Sequence, residues 1–352
     1  LYYGEFSAAE ARGDRDGMAQ HLELARSYDD GALSLELADQ GRLEVASVPA
    51  GAEVRIARYE PRGPLLRLGE ARFLGATPTA SILLASGSYL ITVAAAEGEV
   101  RYPMVIERAR RHRLTLRLPR RADAPPGMVL ISAGPFPSSD GVSPTAMTTF
   151  LLGRFPVTLH EYARFLDALG SSREAVARVP AVDGVALMRV QCGVWLISDH
   201  AVEGDGRRRM KRADGLDLPL HAVTWYDAMA YIAWLRAETG LAYRLPTALE
   251  WERAARGVDG RPFPMGSELD PAFAKLRQSR PEATQPEPVG AFALDESPYG
   301  VRDLAGGVAD WTSTFADGLP PPPLEAEGEA TSDERQAAYM GGHWGSVPAP
   351  RD

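Results

Sequence analysis

Hydrophobic and polar positions alternate with a period of two through much of residues 41–120, for example at Leu43 and Val45. Pro and Gly interrupt the alternation at short spacing. This pattern is typical of strands with one buried face, and frequent turns favour an antiparallel β-sandwich. We therefore predict a small antiparallel β-sandwich over residues 41–120. Residues 1–40 show helical spacing instead, and we predict a short helical segment there, with Asp16 as a helix cap.

Helical spacing returns in the C-terminal part of the chain, where three segments begin with the same local signal. In each, a Thr is followed three positions later by an acidic residue, so that each side chain satisfies a backbone N–H group that the helix leaves free. The three pairs are Thr158 with Glu161, Thr224 with Asp227, and Thr247 with Glu250. Together with short strand patterns, these helices predict an α+β domain over residues 128–352. A proline-rich linker at 121–127 separates it from the sandwich.

The composition is typical of a soluble globular protein. The 352 residues are 45% hydrophobic and 24% charged, as expected for two or three folded domains. No apolar run approaches the roughly 20 residues of a membrane-spanning helix, so we expect no membrane partner. The single cysteine, Cys192, excludes an internal disulfide and a zinc site of several thiolates, and it fits a bacterial cytoplasm. Residue 1 is Leu rather than Met, so we expect the chain to be a fragment.

Charge is distributed unevenly along the chain. Residues 41–121 hold 14 Arg and 7 Glu, with no Lys and no Asp, whereas the whole chain has a net charge of −9. A basic module beside an acidic remainder suggests electrostatic docking, although a solvated surface is the simpler interpretation. The basic stretch "RARRHR" (108–113) has no aromatic residues on which bases could stack, so we do not expect nucleic acid as a partner.

Two families resemble successive parts of the chain. The motifs "PAGAEV" (49–54) and "GSY" (87–89) resemble the PEGA domain family, which implies a small β-module without chemistry of its own. The ordered series "RLPTALEWERAAR" (244–256), "RDLAGGVADW" (302–311) and "GGHW" (341–344) resembles the formylglycine-generating-enzyme/sulfatase-modifying-factor family. That second resemblance implies a C-type-lectin-like fold. Bacterial serine/threonine kinases combine the two modules, so a kinase domain upstream of residue 1 in the natural chain is one hypothesis.

The second resemblance also allows the family's oxidase chemistry to be checked by position. The copper-dependent members carry two cysteines shortly after "GG", where thiolates suit Cu(I). Here those positions hold Ser346 and Arg351. We therefore expect no copper and assign no catalytic residue. The six histidines lack the spacing of a metal-binding motif, which also disfavours an iron enzyme.

In the same family, the segment that matches "RDLAGGVADW" holds a structural Ca²⁺. Carried over by position, its ligands would be the carboxylates of Asp303 and Asp310 and the carbonyls of Gly306 and Val308. Oxygen donors of this kind are what Ca²⁺ prefers. The alternative is that the two carboxylates only accept backbone N–H bonds. At the family's other calcium site, Lys275 replaces an Asn, and its positive charge predicts that this second site is lost.

Two functions from different classes remain. The first is a non-catalytic module that binds a protein or small-molecule ligand through an aromatic-rich face, since aromatic side chains give large contact area. Its candidate contacts are Trp225, Trp311, His343, Trp344, Ser346 and Arg351. Such a module could be the sensor of a bacterial kinase, or the variable protein of a diversity-generating retroelement, in which the last stretch is diversified. The second is an enzyme of altered chemistry. Cysteines or clustered histidines after residue 352 would favour this second function.

Overall fold

The structure is a computed structural model of mixed α/β class. It describes residues 2–11, 14–31, 37–96, 98–119, 124–139, 145–198, 217–280, 286–315 and 337–342. The chain divides into two compact units, the first formed by residues 1–60 and 68–123 and the second by residues 61–67 and 124–352. Within the described ranges, no helix is both long enough and apolar enough to span a bilayer.

The first unit begins with two helices, α1 (Tyr2–Ala11) and α2 (Arg15–Ser27). Asp14 caps α2, because its carboxylate accepts the N–H of Gly17 at 3.0 Å. The prediction of Asp16 as the cap is therefore wrong by two positions. Asp16 lies in the first helical turn, where a negative charge still suits the helix N-terminus.

Eight strands form two sheets within the described part of residues 40–117. Residues 61–67, which include most of the third strand, group with the second unit. They are β1 (Gln40–Val48), β2 (Glu53–Arg62), β3 (Leu65–Leu68), β4 (Arg72–Ala76), β5 (Ile82–Ala85), β6 (Gly87–Ala95), β7 (Gly98–Ile106) and β8 (Arg111–Arg117). One sheet has the order β5-β1-β8, and the other has the order β3-β2-β6-β7 with β4 also paired to β2. Burial alternates along β1, so the period-two pattern at Leu43 and Val45 is confirmed.

One pair of strands departs from the predicted antiparallel arrangement. β1 and β8 run parallel, with Arg42 opposite Arg111 and Val48 opposite Arg117. β8 follows β7, which belongs to the other sheet, so it joins β1 by a crossover between sheets rather than by a tight hairpin. A crossover leaves the strand direction free, whereas a hairpin requires antiparallel neighbours.

In its described residues, the second unit combines short antiparallel strand pairs with four α-helices. The strands are β9 (Met128–Ile131), β10 (Gly134–Phe136), β11 (Thr145–Met147), β12 (Phe150–Gly153), β13 (Ala181–Val182), β14 (Val185–Ala186), β15 (Met188–Gln191), β16 (Val194–Ile197), β17 (Asp310–Phe315) and β18 (Ala337–Met340). They pair as β9–β12, β10–β11, β13–β14, β15–β16 and β17–β18. The helices are α3 (Leu159–Leu169), α4 (Arg173–Ala177), α5 (Trp225–Thr239) and α6 (Ala248–Arg256).

The three predicted helix starts are confirmed at α3, α5 and α6. At each, the Thr side chain accepts a backbone N–H and the acidic side chain three positions later accepts the N–H of the Thr. α3 and α5 share one core, in which Phe165 packs edge-on against Tyr231 at 5.9 Å. α6 packs in a second core with strand β9, and this core borders the irregular segment that leads into β17.

Candidate functional site

Residues 303–310 form an irregular loop that leads into β17, and the side chain of Asp295 holds this loop in shape. Asp295 is 1% exposed. Both of its carboxylate oxygens lie 3.1 Å from the N–H nitrogen of Ala305, and one also accepts the N–H of Gly306 at 3.1 Å. Burial is the main cause that raises the pKa of Asp295 to about 7. The backbone N–H bonds act against it, and the charge of Asp303 acts with it.

Asp303 opens the loop in a left-handed backbone conformation with φ of +60°, which Asp tolerates better than most residues. Its Oδ2 accepts the N–H of Gly290 at 2.5 Å, and its own N–H donates to the carbonyl of Asp295 at 3.1 Å. Burial raises the pKa of Asp303 to about 6, while the Gly290 bond and the charge of Arg302 lower it. Asp303 thus joins the start of the loop to the segment before it.

Asp310 closes the loop and begins β17. Its Oδ2 accepts the indole N–H of Trp251, which lies on α6, at 2.8 Å. Burial raises the pKa of Asp310 to about 6, the Trp251 bond lowers it, and the charge of Asp303 raises it. The charge of Asp303 therefore disfavours the ionisation of Asp310.

The loop offers part of a calcium ligand set. Asp303 and Asp310 each use Oδ2 for the bonds just described, and the carbonyls of Gly306 and Val308 would bring the set to four of the six to eight oxygens that Ca²⁺ takes. Within the described part of the chain, no group of three His, Cys, Asp or Glu side chains is arranged to hold a metal ion. A cation would relieve the repulsion between the two carboxylates, and a Ca²⁺ there would need further oxygens to complete its shell. The calcium site stays a prediction.

A small cavity, which we call the Lys275 cavity, lies beside this loop. Its volume is about 10 Å³, close to the smallest that holds one water. Lys275, Glu287 and Asp303 supply its charged lining, and Gly307 also lines it. The other lining residues are Pro156, Pro219, Pro288, Val289, Phe292 and Val308. The Nζ of Lys275 lies 3.6 Å from Glu287 Oε1.

Of the predicted aromatic contacts that the structure describes, Trp225 is buried and Trp311 is more accessible. Trp225 is 6% exposed, its indole N–H donates to the carbonyl of Thr312 at 3.1 Å, and its ring packs against Phe315. The structure therefore places Trp225 in a core. Trp311 is half-buried, and its ring meets that of Tyr339 edge-on at 6.1 Å.

Tyr339 is an accessible aromatic residue that sequence reasoning does not single out. It is 65% exposed and lies on β18, where it pairs with Trp311 on β17. Because the chain between the two strands is long, only the register of the strand pair brings these rings together. The remaining predicted contacts, His343, Trp344, Ser346 and Arg351, lie outside the described residues.

The segment "RLPTALEWERAAR" has mainly structural roles. Arg244 binds both oxygens of Glu250 at 2.6 Å, and Glu250 also completes the cap of α6. Arg253 is 1% exposed and donates to the carbonyls of Ser132, Gly134 and Pro135 at 2.7 to 3.1 Å. These bonds fix α6, and with it Trp251, against the β9–β10 connection.

Comparison of the sequence with known proteins identifies its family. The sequence model of a family described as "Sulfatase-modifying factor enzyme 1-like domain" matches residues 115–350. The chain is 34% identical to a hercynine oxygenase of Mycolicibacterium smegmatis over 57% of this chain and 47% of that protein. It is 31% identical to the inactive C-alpha-formylglycine-generating enzyme 2 of Bos taurus, over 50% of this chain and 64% of that protein.

A relative of another kind is the serine/threonine-protein kinase pkn1 of Chlamydia pneumoniae. It is 28% identical over 52% of this chain and 27% of the kinase. The chain thus spans less than two thirds of the length of each of these three relatives. Their names include an oxygenase, an inactive enzyme and a kinase, so similarity of sequence alone does not select one activity.

Proposed function

We propose that the chain, which belongs to the family of the sulfatase-modifying factor enzyme 1-like domain, is a non-catalytic module. It would bind a protein or small-molecule ligand on a C-type-lectin-like scaffold. The observation that carries this proposal is the aromatic pair on β17 and β18. Tyr339 is exposed, and Trp311 beside it is held by an indole bond to the carbonyl of Val223 at 3.0 Å. A rigid aromatic surface loses little entropy when a ligand binds.

The cysteine content of the chain supports a non-catalytic role. Cu(I) needs soft ligands, and residues 1–352 contain one cysteine, so these residues cannot supply two thiolates. Cys192 is exposed in the turn between β15 and β16. A relative named as an inactive enzyme shows that loss of activity occurs among proteins similar to this one.

The kinase relative supports a more specific setting for the binding module. We propose that the module is the sensor part of a bacterial kinase, with a PEGA-like sandwich in the first unit. The alternative of a retroelement variable protein concerns residues 341–352, of which only 341 and 342 are described, and it stays a prediction. We also propose a single structural Ca²⁺ between Asp303 and Asp310.

Site-specific cross-linking tests the binding surface. Tyr339 is replaced by a photoreactive phenylalanine analogue in the full natural protein, expressed in its own host. Val190, which is also exposed but lies on β15, serves as the matched control position. We expect a defined adduct from position 339 and none from position 190. Equal labelling at both positions, or no adduct at either, would contradict a ligand-binding surface at Tyr339.

A copper assay tests one form of the enzyme alternative, the family's copper chemistry. The protein is titrated with Cu(I) in competition with a coloured chelator, and a cysteine-containing peptide is then incubated with it under air. We expect no stoichiometric Cu(I) binding and no oxidation of the peptide, because the chain cannot supply two thiolates. Tight binding of one Cu(I), followed by conversion of the peptide, would restore the enzyme hypothesis.

A further inference from the structure

Lysine is rare in this chain, and one of its two lysines lines the Lys275 cavity. The chain contains 38 Lys and Arg residues, but Lys occurs only at positions 211 and 275. The side chain of Lys275 is 5% exposed, although Lys is almost never fully buried unless it is paired. A chain that uses Arg nearly everywhere else therefore places the more compact cation at this position.

The backbone of Lys275 is fixed by the candidate calcium loop. Its carbonyl accepts the N–H of Gly307 at 2.9 Å. A Cβ added at Gly306 would lie 2.5 Å from the same carbonyl oxygen, so only glycine allows this close approach. The flanking residues Ala274 and Leu276 are fully buried. The lysine side chain thus begins at a rigid point of the core.

The ammonium group shares the cavity with two carboxylates, those of Glu287 and Asp303. Nζ lies 3.6 Å from Glu287 Oε1, and the Glu287 side chain is 9% exposed. Arg280, which is more exposed, contacts the same oxygen at 2.7 Å. Buried carboxylates are costly unless a cation compensates them, and Lys275 supplies that charge from inside the cavity.

We infer that the ammonium group of Lys275 is the resident cation of this cavity and takes the place of a metal ion there. The residues do not fit a metal, because a cation would meet the ammonium charge in a space of about 10 Å³. The compensating charge is covalently part of the chain, so this side of the loop is stabilised at any concentration of metal. The inference does not depend on the proposed binding function. It shares Asp303 and Val308 with the calcium proposed between Asp303 and Asp310, so it is tested with calcium removed.

Unfolding in the presence of a chelator tests this inference. All six tryptophans lie in the second unit, so their fluorescence reports on that unit alone. We expect Lys275→Met to lower the midpoint temperature by on the order of 10 °C, because it removes the buried cation from the cavity and leaves only the more exposed Arg280 beside Glu287. Adding Glu287→Gln to that variant is expected to recover part of the loss. The control Arg189→Met, which removes an exposed cation, should change the midpoint little.

Two outcomes of this experiment would overturn the inference. One is a Lys275→Met protein as stable as the wild type in the chelator. The other is strict additivity, in which the decrease in midpoint temperature of the double variant equals the sum of the decreases of Lys275→Met and Glu287→Gln. Additivity would show that the two charges do not interact.

A second measurement does not depend on the folding of a Lys275 variant. Lys211→Arg leaves Lys275 as the single lysine, so ¹⁵N-lysine labelling then gives one Nζ signal. In chelator, we expect this ammonium to exchange slowly with water and to shift when Glu287→Gln is added. If the ammonium hydrogens of Lys275 exchange with water as fast as those of a solvent-exposed lysine, Lys275 is not the resident cation of the cavity.

Discussion

At the scale of single residues, we expect Asp295 to contribute to how the candidate loop responds to pH. Its pKa in the folded protein is about 7, raised from 3.8 mainly by burial. A carboxyl whose pKa is raised by folding stabilises the protein fully below its unfolded pKa, and this contribution is lost as pH rises through the folded pKa. We therefore expect the second unit to lose stability between about pH 4 and pH 8.

The variant Asp295→Asn isolates this effect. An amide does not ionise, so the variant should gain stability relative to the wild type as pH rises over that range, by on the order of 5 °C in midpoint temperature. Tryptophan fluorescence in chelator measures it, with Asp183→Asn as an exposed control. A constant difference between variant and wild type at every pH would show that Asp295 does not titrate in this range.

Asp310 and Asp303 give the second prediction, which concerns calcium. Calorimetric titration of chelator-treated protein is expected to show one Ca²⁺, and Asp310→Asn should abolish binding because it removes one of the two carboxylate charges. The amide oxygen can still accept the Trp251 indole bond, so the fold is preserved. Trp251→Phe is the matched control, since it removes the indole bond and keeps both carboxylates.

The calcium hypothesis fails if the wild type gives neither binding heat nor stabilisation by Ca²⁺. In that case the two carboxylates would act only as acceptors for the N–H groups of Gly290 and Trp251, which are the bonds that the structure shows. Loss of binding in Trp251→Phe as well as in Asp310→Asn would instead indicate that loop shape, rather than ligand charge, controls affinity.

The sequence identifies Asp303 and Asp310 because they stand in one short motif. It does not reveal Asp295, whose bonds to Ala305 and Gly306 depend on how two irregular segments meet. Trp225 illustrates the opposite problem. A tryptophan is equally consistent with a core and with a binding surface, and only its burial and its bond to Thr312 separate the two.

At the scale of elements, helix α6 is held in place by one buried side chain. Arg253 binds the carbonyl of Ser132, between β9 and β10, and the carbonyls of Gly134 and Pro135 on β10, and its guanidinium lies 5.7 Å from the ring of Phe136. We expect Arg253→Lys to destabilise the second unit by about 3 kcal/mol, because an ammonium group cannot reproduce the planar set of donors. Urea unfolding followed by tryptophan fluorescence measures the loss.

A matched substitution separates this role from a general effect of charge. Arg277→Lys changes the same residue type at an exposed position and should cost less than about 0.5 kcal/mol. Equal effects of the two substitutions would mean that the three carbonyl bonds contribute little to the position of α6.

Helix starts are predictable from sequence because their determinants are local. Thr158, Thr224 and Thr247 each find their partner three residues away, and all three capping boxes form. Strand direction is less local. The parallel pairing of β1 with β8 joins segments separated by six other strands, and the alternation within each strand carries no information about the direction of its neighbour.

At the scale of the whole molecule, the two compact units are interleaved in sequence. Residues 61–67 group with the second unit, although the chain on either side of them groups with the first. Within the second unit, the N–H of Leu66 donates to the carbonyl of Met265 at 2.8 Å, and Leu65 packs against the cluster that contains Met265 and Ala274. Hydrophobic alternation cannot reveal such a grouping, because Leu65 fits a strand pattern equally well in either unit.

This interleaving leads to a prediction about which unit a substitution affects. Leu65→Ala should lower the stability of the second unit by about 1–2 kcal/mol, since it removes part of a half-buried apolar contact. Leu68→Ala removes the same side chain three residues later, at an exposed position that groups with the first unit, and should leave the tryptophan transition unchanged. Urea titration with fluorescence detection compares the two. If both variants, or neither, shift this transition, residues 61–67 do not fold as part of the second unit, and the chain then divides into units that follow one another in sequence.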